Sequence, residues 1–200
     1  MIKIIPPQQF KTIPWKNGQG ETTELAINQG GHLDDFDWRL SIASVVNDGI
    51  FSNFTGYYRN LVLIEGVGLS LTHDNIKTDT LNKLLDVARF SGGCETDGKL
   101  INGAIKDFNI ITKTETVSAN VHCYPESQQV IIKVAKNSLC FAYSLSDEMG
   151  IKTSNSENNL VPIGCLVQVF AQDSELIEEK ITVTITGKNM IIVQLEMIST

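Results

Sequence analysis

The sequence predicts an all-β sandwich or barrel, and three observations carry that prediction. Runs in which apolar and polar residues alternate recur along the whole chain, the period of strands with one face buried. Gly, Asn and Asp punctuation separates the runs as hairpin turns do. No window holds a sustained helical period. In chain order, the alternation places strands at 36–46 (FDWRLSIASVV), 60–71 (NLVLIEGVGLSL), 108–114, 117–124 (VSANVHCY) and 128–135 (QQVIIKVA). Further strands are expected at 138–145 (SLCFAYSL), 164–171, 181–186 (ITVTIT) and 190–198 (MIIVQLEMI). Turns fall at Asn47-Asp48-Gly49, Ser91-Gly92-Gly93, Asp97-Gly98, Asn102-Gly103 and Gly187-Lys188-Asn189. Residues 80–88 (TLNKLLDVA) read as one or two helical turns, and 146–159 (SDEMGIKTSNSENN) as an exposed polar loop.

Composition narrows the function classes. At 200 residues, 42% hydrophobic and 20% charged, the chain can build its own core without a metal or disulfides. Cys94, Cys123, Cys140 and Cys165 lie far apart with no CxxC pair, so reduced thiols are expected. Pro6 and Pro7 stop the first apolar run, leaving no signal-peptide core, and no run of apolar residues is long enough to span a bilayer. A cytoplasmic address is therefore expected. Net charge is −7, and with no basic patch neither nucleic acid nor a membrane surface is expected as a partner. His32, His73 and His122 are isolated, so no metal and no other cofactor is expected.

Thirteen lysines stand against three arginines, Arg39, Arg59 and Arg89, all in the first half with Trp15 and Trp38. Arginine is the planar reader of carboxylate and phosphate, so this clustering draws attention to four segments. In Trp15-Lys16-Asn17-Gly18-Gln19-Gly20, two glycines permit close backbone approach while Lys16 and Asn17 add a cation and an amide. The alternative is a tight turn with Trp15 in the core. On strand 36–46, period two sets Phe36, Trp38, Leu40 and Ile42 on one face and Arg39, Ser41 and Ala43 on the other. Small neighbours leave room around Arg39, which if buried must be paired; an outer-face salt bridge is the alternative. The segment FSNFTGYYR (51–59) brings Arg59 to the start of a strand, and its alternative is an aromatic loop staple beside a surface arginine. Asp107 and Asn109 share a strand face, where Asp107 could pair Arg39 or Arg59, or simply cap the strand entry.

WKNGQGETTEL (15–25), FDWRLSIASVVNDGIFSNFTGYYR (36–59), LIEGVGLSL (63–71), FSGG (90–93) and DFN (107–109), in this order, resemble the HutD/Ves family. The resemblance covers most of residues 1–112. It implies a cupin-like (RmlC-like jelly roll) fold with two β-barrel units, a bicupin. Residues 1–110 would form the N-terminal barrel carrying the pocket and 111–200 the C-terminal barrel, packed as one compact unit. It also implies a link to histidine utilisation, with a small pathway acid such as formylglutamate as ligand; the Ves branch is linked to stress response. The implied pocket residues are Trp15, Lys16, Asn17, Arg39, Ser41, Arg59, Asp107 and Asn109. FSGG departs from the family's usual Phe-x-Gly-Asp, with Gly93 where an acid is usual.

These readings converge on a metal-independent protein that binds a small anionic metabolite as a sensor or governor and catalyses no reaction. A homodimer is compatible with this reading. The alternative is a metal-independent cupin isomerase or lyase on a small polar acid, with Asp107 as general base. A third class is an interaction module that uses the acidic surface.

Overall fold

The computed structural model describes residues 1–15, 20–153, 157–170 and 180–198. It is all-β, and the described chain divides into two compact units, Phe10–Val117 and Met1–Gln9 with Ser118–Ser199. Strand β1 (Ile2–Ile5) opens the chain and pairs antiparallel with a strand near the C-terminus, Leu166–Phe170. Among the described residues the sole helical element is a single 3-10 turn, Pro7–Gln9, and no helix is long and apolar enough to cross a membrane.

The Phe10–Val117 unit holds β2 (Lys11–Pro14), β3 (Gly20–Ile27), β4 (Trp38–Val45), β5 (Gly49–Ile50) and β6 (Tyr57–Glu65). It continues with β7 (Leu69–His73), β8 (Lys77–Leu81), β9 (Val87–Ser91), β10 (Thr96–Leu100) and β11 (Ile105–Lys113). A six-stranded sheet runs β2-β3-β4-β11-β6-β9, and a four-stranded sheet runs β5-β10-β7-β8. Ala43, Val45, Leu61, Leu63, Ala88, Phe90 and Ile105 from the first sheet form one core with Leu69, Leu71 and Leu81 from the second. The other face of the six-stranded sheet is buried as well, through Trp38, Leu40, Val62, Phe108 and Ile110. Burial on both faces explains why β6 and β11 read as near-continuous apolar runs.

The second unit adds β12 (Val117–Tyr124), β13 (Gln128–Ala135), β14 (Ser138–Ser144), β15 (Met149–Thr153), β16 (Asn159–Val161), β17 (Leu166–Phe170), β18 (Lys180–Gly187) and β19 (Met190–Met197). Its sheets run β1-β17-β14-β19-β12 and β13-β18-β15-β16. Val134, Cys140, Ala142, Val167, Val183, Ile185 and Ile192 are the centre of its core.

Four expectations need correction. Among the described residues each unit is a pair of open sheets rather than a closed barrel. The single strand expected over 60–71 is broken at Gly66, whose φ is +98°; a Cβ there would lie 2.7 Å from the Ala104 carbonyl oxygen, so the chain turns between β6 and β7. The helical turns expected over 80–88 are absent. The Asp86 carboxylate accepts from the Asn82 and Lys83 amides and makes a turn between β8 and β9 in which Leu85 takes a φ of +71°. The loop expected over 146–159 carries β15 and the start of β16, because Met149 and Ile151 alternate into the second core.

Candidate functional site

Three adjacent strands bring most of the singled-out residues onto one face. In register, Asn109 on β11 stands between Ser41 on β4 and Leu61 on β6, Asp107 between Ala43 and Leu63, and Ile111 between Arg39 and Arg59. The two arginines thus flank β11 at one level, roughly 10 Å apart at the Cα atoms by the ordinary strand spacing. Arg39, Ser41, Arg59, Asp107 and Asn109 are all buried, Asp107 completely. A β-bulge between β11 and β6 falls beside Asp107, a place where bulges often re-aim a side chain.

Arg59, Asn109 and Asp107 form a hydrogen-bonded chain. Arg59 Nη2 donates to Asn109 Oδ1 at 2.8 Å, and Asn109 Nδ2 donates to Asp107 Oδ1. Arg59 Nη1 donates at 3.3 Å to the Ser52 carbonyl oxygen. Two buried atoms of the chain, Arg59 Nε and Asp107 Oδ2, have no hydrogen-bond partner. The guanidinium carbon lies 5.6 Å from the ring centres of Phe51 and Phe54 and 5.2 Å from that of Phe90, within cation–π range. Burial lowers the Arg59 pKa to about 10, with the Asp107 charge opposing. Burial also raises the Asp107 carboxyl to about 7, against the downward pull of the Arg59 charge and the Asn109 bond. Desolvation outweighs the partners at both ends, so this is a polar chain whose charges are incompletely compensated.

Arg39 is bonded differently. Its Nε donates to Glu24 Oε2 at 2.7 Å. A bulge in β3 between Glu24 and Ala26 sets Glu24 opposite Ser41, diagonal to Arg39, within reach of a long side-chain pair. Trp15 is half-buried against the unit's core, and its Nε1 donates to Thr22 Oγ1 at 2.8 Å. Its backbone N–H reaches the Gly20 carbonyl oxygen at 2.9 Å. Gly20 is needed here, since a Cβ would lie 2.2 Å from the Ser44 carbonyl oxygen and 2.9 Å from the Trp15 ring. Lys16 and Asn17 lie outside the described residues. Among the described residues no three His, Cys, Asp or Glu side chains stand together as a metal site would need.

Sequence reasoning missed Glu24 as the partner of Arg39, and the three rings around Arg59. The readable signal for the rings was the paired glycine of Ser91-Gly92-Gly93. A Cβ on Gly92 would lie 2.5 Å from the Phe54 carbonyl oxygen. Its absence lets Phe54 N–H donate to Gly92 O at 2.7 Å and Gly92 N–H donate to Tyr57 O at 2.8 Å. Those two bonds fasten the Phe51–Tyr57 loop where its aromatic rings cover Arg59.

The HutD family model matches residues 7–192. An uncharacterized 21.2 kDa protein in the hutC 3′ region of Pseudomonas putida is 34% identical over 150 residues, 75% of this chain and 78% of that protein. Protein Ves of Escherichia fergusonii is 37% identical over 108 residues, 54% of this chain and 56% of Ves. A structure of HutD from Pseudomonas fluorescens SBW25, described as a formate condition, superposes with a TM-score of 0.82 at 28% identity, covering 100% of both chains.

Proposed function

The chain belongs to the HutD family, and from that premise we propose that its Phe10–Val117 unit binds a small carboxylate as a sensor or governor of histidine utilisation. The observation that carries this reading is the pair of buried, unpartnered atoms Arg59 Nε and Asp107 Oδ2 at the two ends of one hydrogen-bonded chain. Buried polar atoms are ordinarily satisfied, and a guanidinium N–H left over on a buried face is a ready donor to an anion. A formylglutamate-like acid supplies the missing acceptor for Arg59 Nε. In this reading Arg59 takes a ligand carboxylate, Arg39 takes it or a second acidic group in exchange for Glu24, and Ser41 leaves space between them. Trp15 forms an apolar wall, and Lys16 and Asn17 add a charge and an amide. Asn109 has its oxygen on Arg59 and an N–H on Asp107, so its part is to hold those two groups in place. The relative named for the hutC 3′ region supports the metabolic setting.

A thermal-shift panel of formylglutamate, formiminoglutamate, urocanate, glutamate, formate and phosphate tests the assignment. An acid at 100 times its dissociation constant adds about 2.7 kcal/mol of stability, and the shift is expected to vanish in Arg39→Ala and in Arg59→Met. No shift with any acid, or a shift that survives both substitutions, sinks the reading.

One observation favours a second reading. Asp107 combines a free Oδ2 with a carboxyl raised to about 7, the range of a general base at neutral pH. In that case the protein is an isomerase or lyase, and a bound acid incubated with it changes its NMR spectrum with time in wild type but not in Asp107→Asn. A spectrum that stays constant over hours removes this alternative.

A further inference from the structure

The Arg59–Asn109–Asp107 chain assigns the place of one proton. A guanidinium only donates, so the Asn109 atom 2.8 Å from Arg59 Nη2 must be the amide oxygen. That orientation turns the amide nitrogen toward Asp107, where it donates to Oδ1. Asp107 Oδ1 is thereby committed as an acceptor. A proton carried by Asp107 belongs on Oδ2, the oxygen that is buried without a partner. Resting on the carboxylate reading above, we infer that Asp107 meets the ligand as a donor, through Oδ2–H, and that each bound anion is taken up together with one proton.

The chemistry of the face supports this. A ligand carboxylate on Arg59 beside an ionised Asp107 would set two anions against one guanidinium, and two carboxylates sharing a site hold a proton between them. The ionisable groups on this face among the described residues are few. They are Arg59 on β6, Arg39 on β4 and Glu24 on β3, with Arg39 and Glu24 bonded to each other, Lys11 on β2 opposite Glu24, and Lys113 at the end of β11, bonded to Asp35 at 3.1 Å. From the four-stranded sheet, His73 on β7 lies 3.3 Å from Asp79 on β8, which in turn meets Lys77 at 2.9 Å. Of these, Arg59 is the charge that acts on Asp107, and burial already outweighs it. An arriving anion adds a second charge acting in the same direction as burial. No covalent bond beyond O–H is made, and the proton comes from the solvent.

Titration calorimetry of the full chain with N-formyl-L-glutamate, in two buffers of different ionisation enthalpy, reads the proton directly. Uptake is expected to approach one proton per ligand at pH 8 and to fall toward zero at pH 5.5, where Asp107 is protonated beforehand. Affinity is expected to weaken up to about tenfold per pH unit above 7. Asp107→Asn keeps a donor at the same place, as Nδ2–H, but carries no titrating proton, and is expected to bind with no uptake and no pH slope in this range. Binding by wild type without uptake at pH 8, or uptake that persists in Asp107→Asn, overturns this inference and leaves the carboxylate reading standing. No binding by wild type at any pH overturns both. If Asp107→Asn does not fold, the wild-type uptake alone decides the matter.

Discussion

Arg39 Nε donates to Glu24 Oε2 at 2.7 Å across a diagonal of the β3–β4 pairing, in which Glu24 stands opposite Ser41 beside a bulge at Leu25. The carboxylate of Glu24 therefore holds the position on Arg39 that an anionic ligand would take. Its side chain keeps 22% of its exposure against 5% for Arg39, so Glu24 can withdraw toward solvent while Arg39 cannot.

Glu24→Gln is expected to bind small carboxylates several-fold tighter than wild type, because a neutral amide competes less well for the guanidinium. Glu24→Ala leaves a buried arginine without its partner and is expected to lose about 2 kcal/mol in urea unfolding, less than a fully buried broken pair because Glu24 is part-exposed. Saturating carboxylate is expected to restore part of that loss. Unchanged affinity in Glu24→Gln would place the ligand away from Arg39.

Arg59→Lys retains a positive charge and little else. An ammonium is not planar, so it does not stack among Phe51, Phe54 and Phe90 while also bonding Asn109 and presenting a second donor. At least a tenfold loss of carboxylate affinity is expected by calorimetry, with a lower melting temperature from the broken Asn109 bond. Affinity equal to wild type would mean that charge alone matters at this position.

Gly92→Ala tests whether the ring cover over Arg59 is set by backbone contact. The new Cβ would meet the Phe54 carbonyl oxygen at 2.5 Å and the Tyr57 carbonyl oxygen at 3.1 Å, neither of which is a flexible side-chain end. The loop must move outward and carry Phe54 off the guanidinium. A stability loss of about 1–3 kcal/mol is expected, with faster hydrogen exchange at the Phe54 and Gly92 amides than in wild type. Exchange rates that match wild type would show that the loop is held by something other than this contact.

The alternation of 36–46 made the β4 faces legible, since Arg39, Ser41 and Ala43 do share a face opposite Trp38 and Leu40. Asp107 and Asn109 were legible on one face for the same reason. Glu24 was not, because the sequence marks no strand over 20–27, and the pairing that sets Glu24 opposite Ser41 is a long-range register that residue types do not mark. Period-two reading also failed where backbone geometry rather than side-chain pattern sets the break, as at Gly66 and Leu85. The strands β15 and β16 were hidden by their polar flanks, since only Met149, Ile151 and Val161 in that stretch reach the core. The ring cover over Arg59 depends on a long-range contact between the Phe51–Tyr57 loop and Gly92; the glycine pair marks a close approach there, but not which segment makes it.

The Asp107 carboxyl makes stability depend on pH in the direction opposite to an ordinary salt-bridged aspartate. Its folded pKa is raised from 3.8 to about 7 by burial, so between those values the native state holds a proton that the unfolded chain has released. Stability from this group is complete below about pH 4 and is lost as pH rises through about 7. The slope from this group is at most about 1.4 kcal/mol per pH unit, and Arg59 and Asn109, which pull the folded pKa down, narrow the window over which it acts. Other carboxylates titrate over the acid half of that window, so the useful quantity is the difference between wild type and Asp107→Asn, whose amide does not titrate. Urea unfolding at pH 5 and pH 8 is expected to show wild type losing stability relative to Asp107→Asn as pH rises, with the gap settling above pH 8. A gap that is constant with pH would mean that Asp107 titrates normally, and that Arg59 and Asn109 compensate its burial in full.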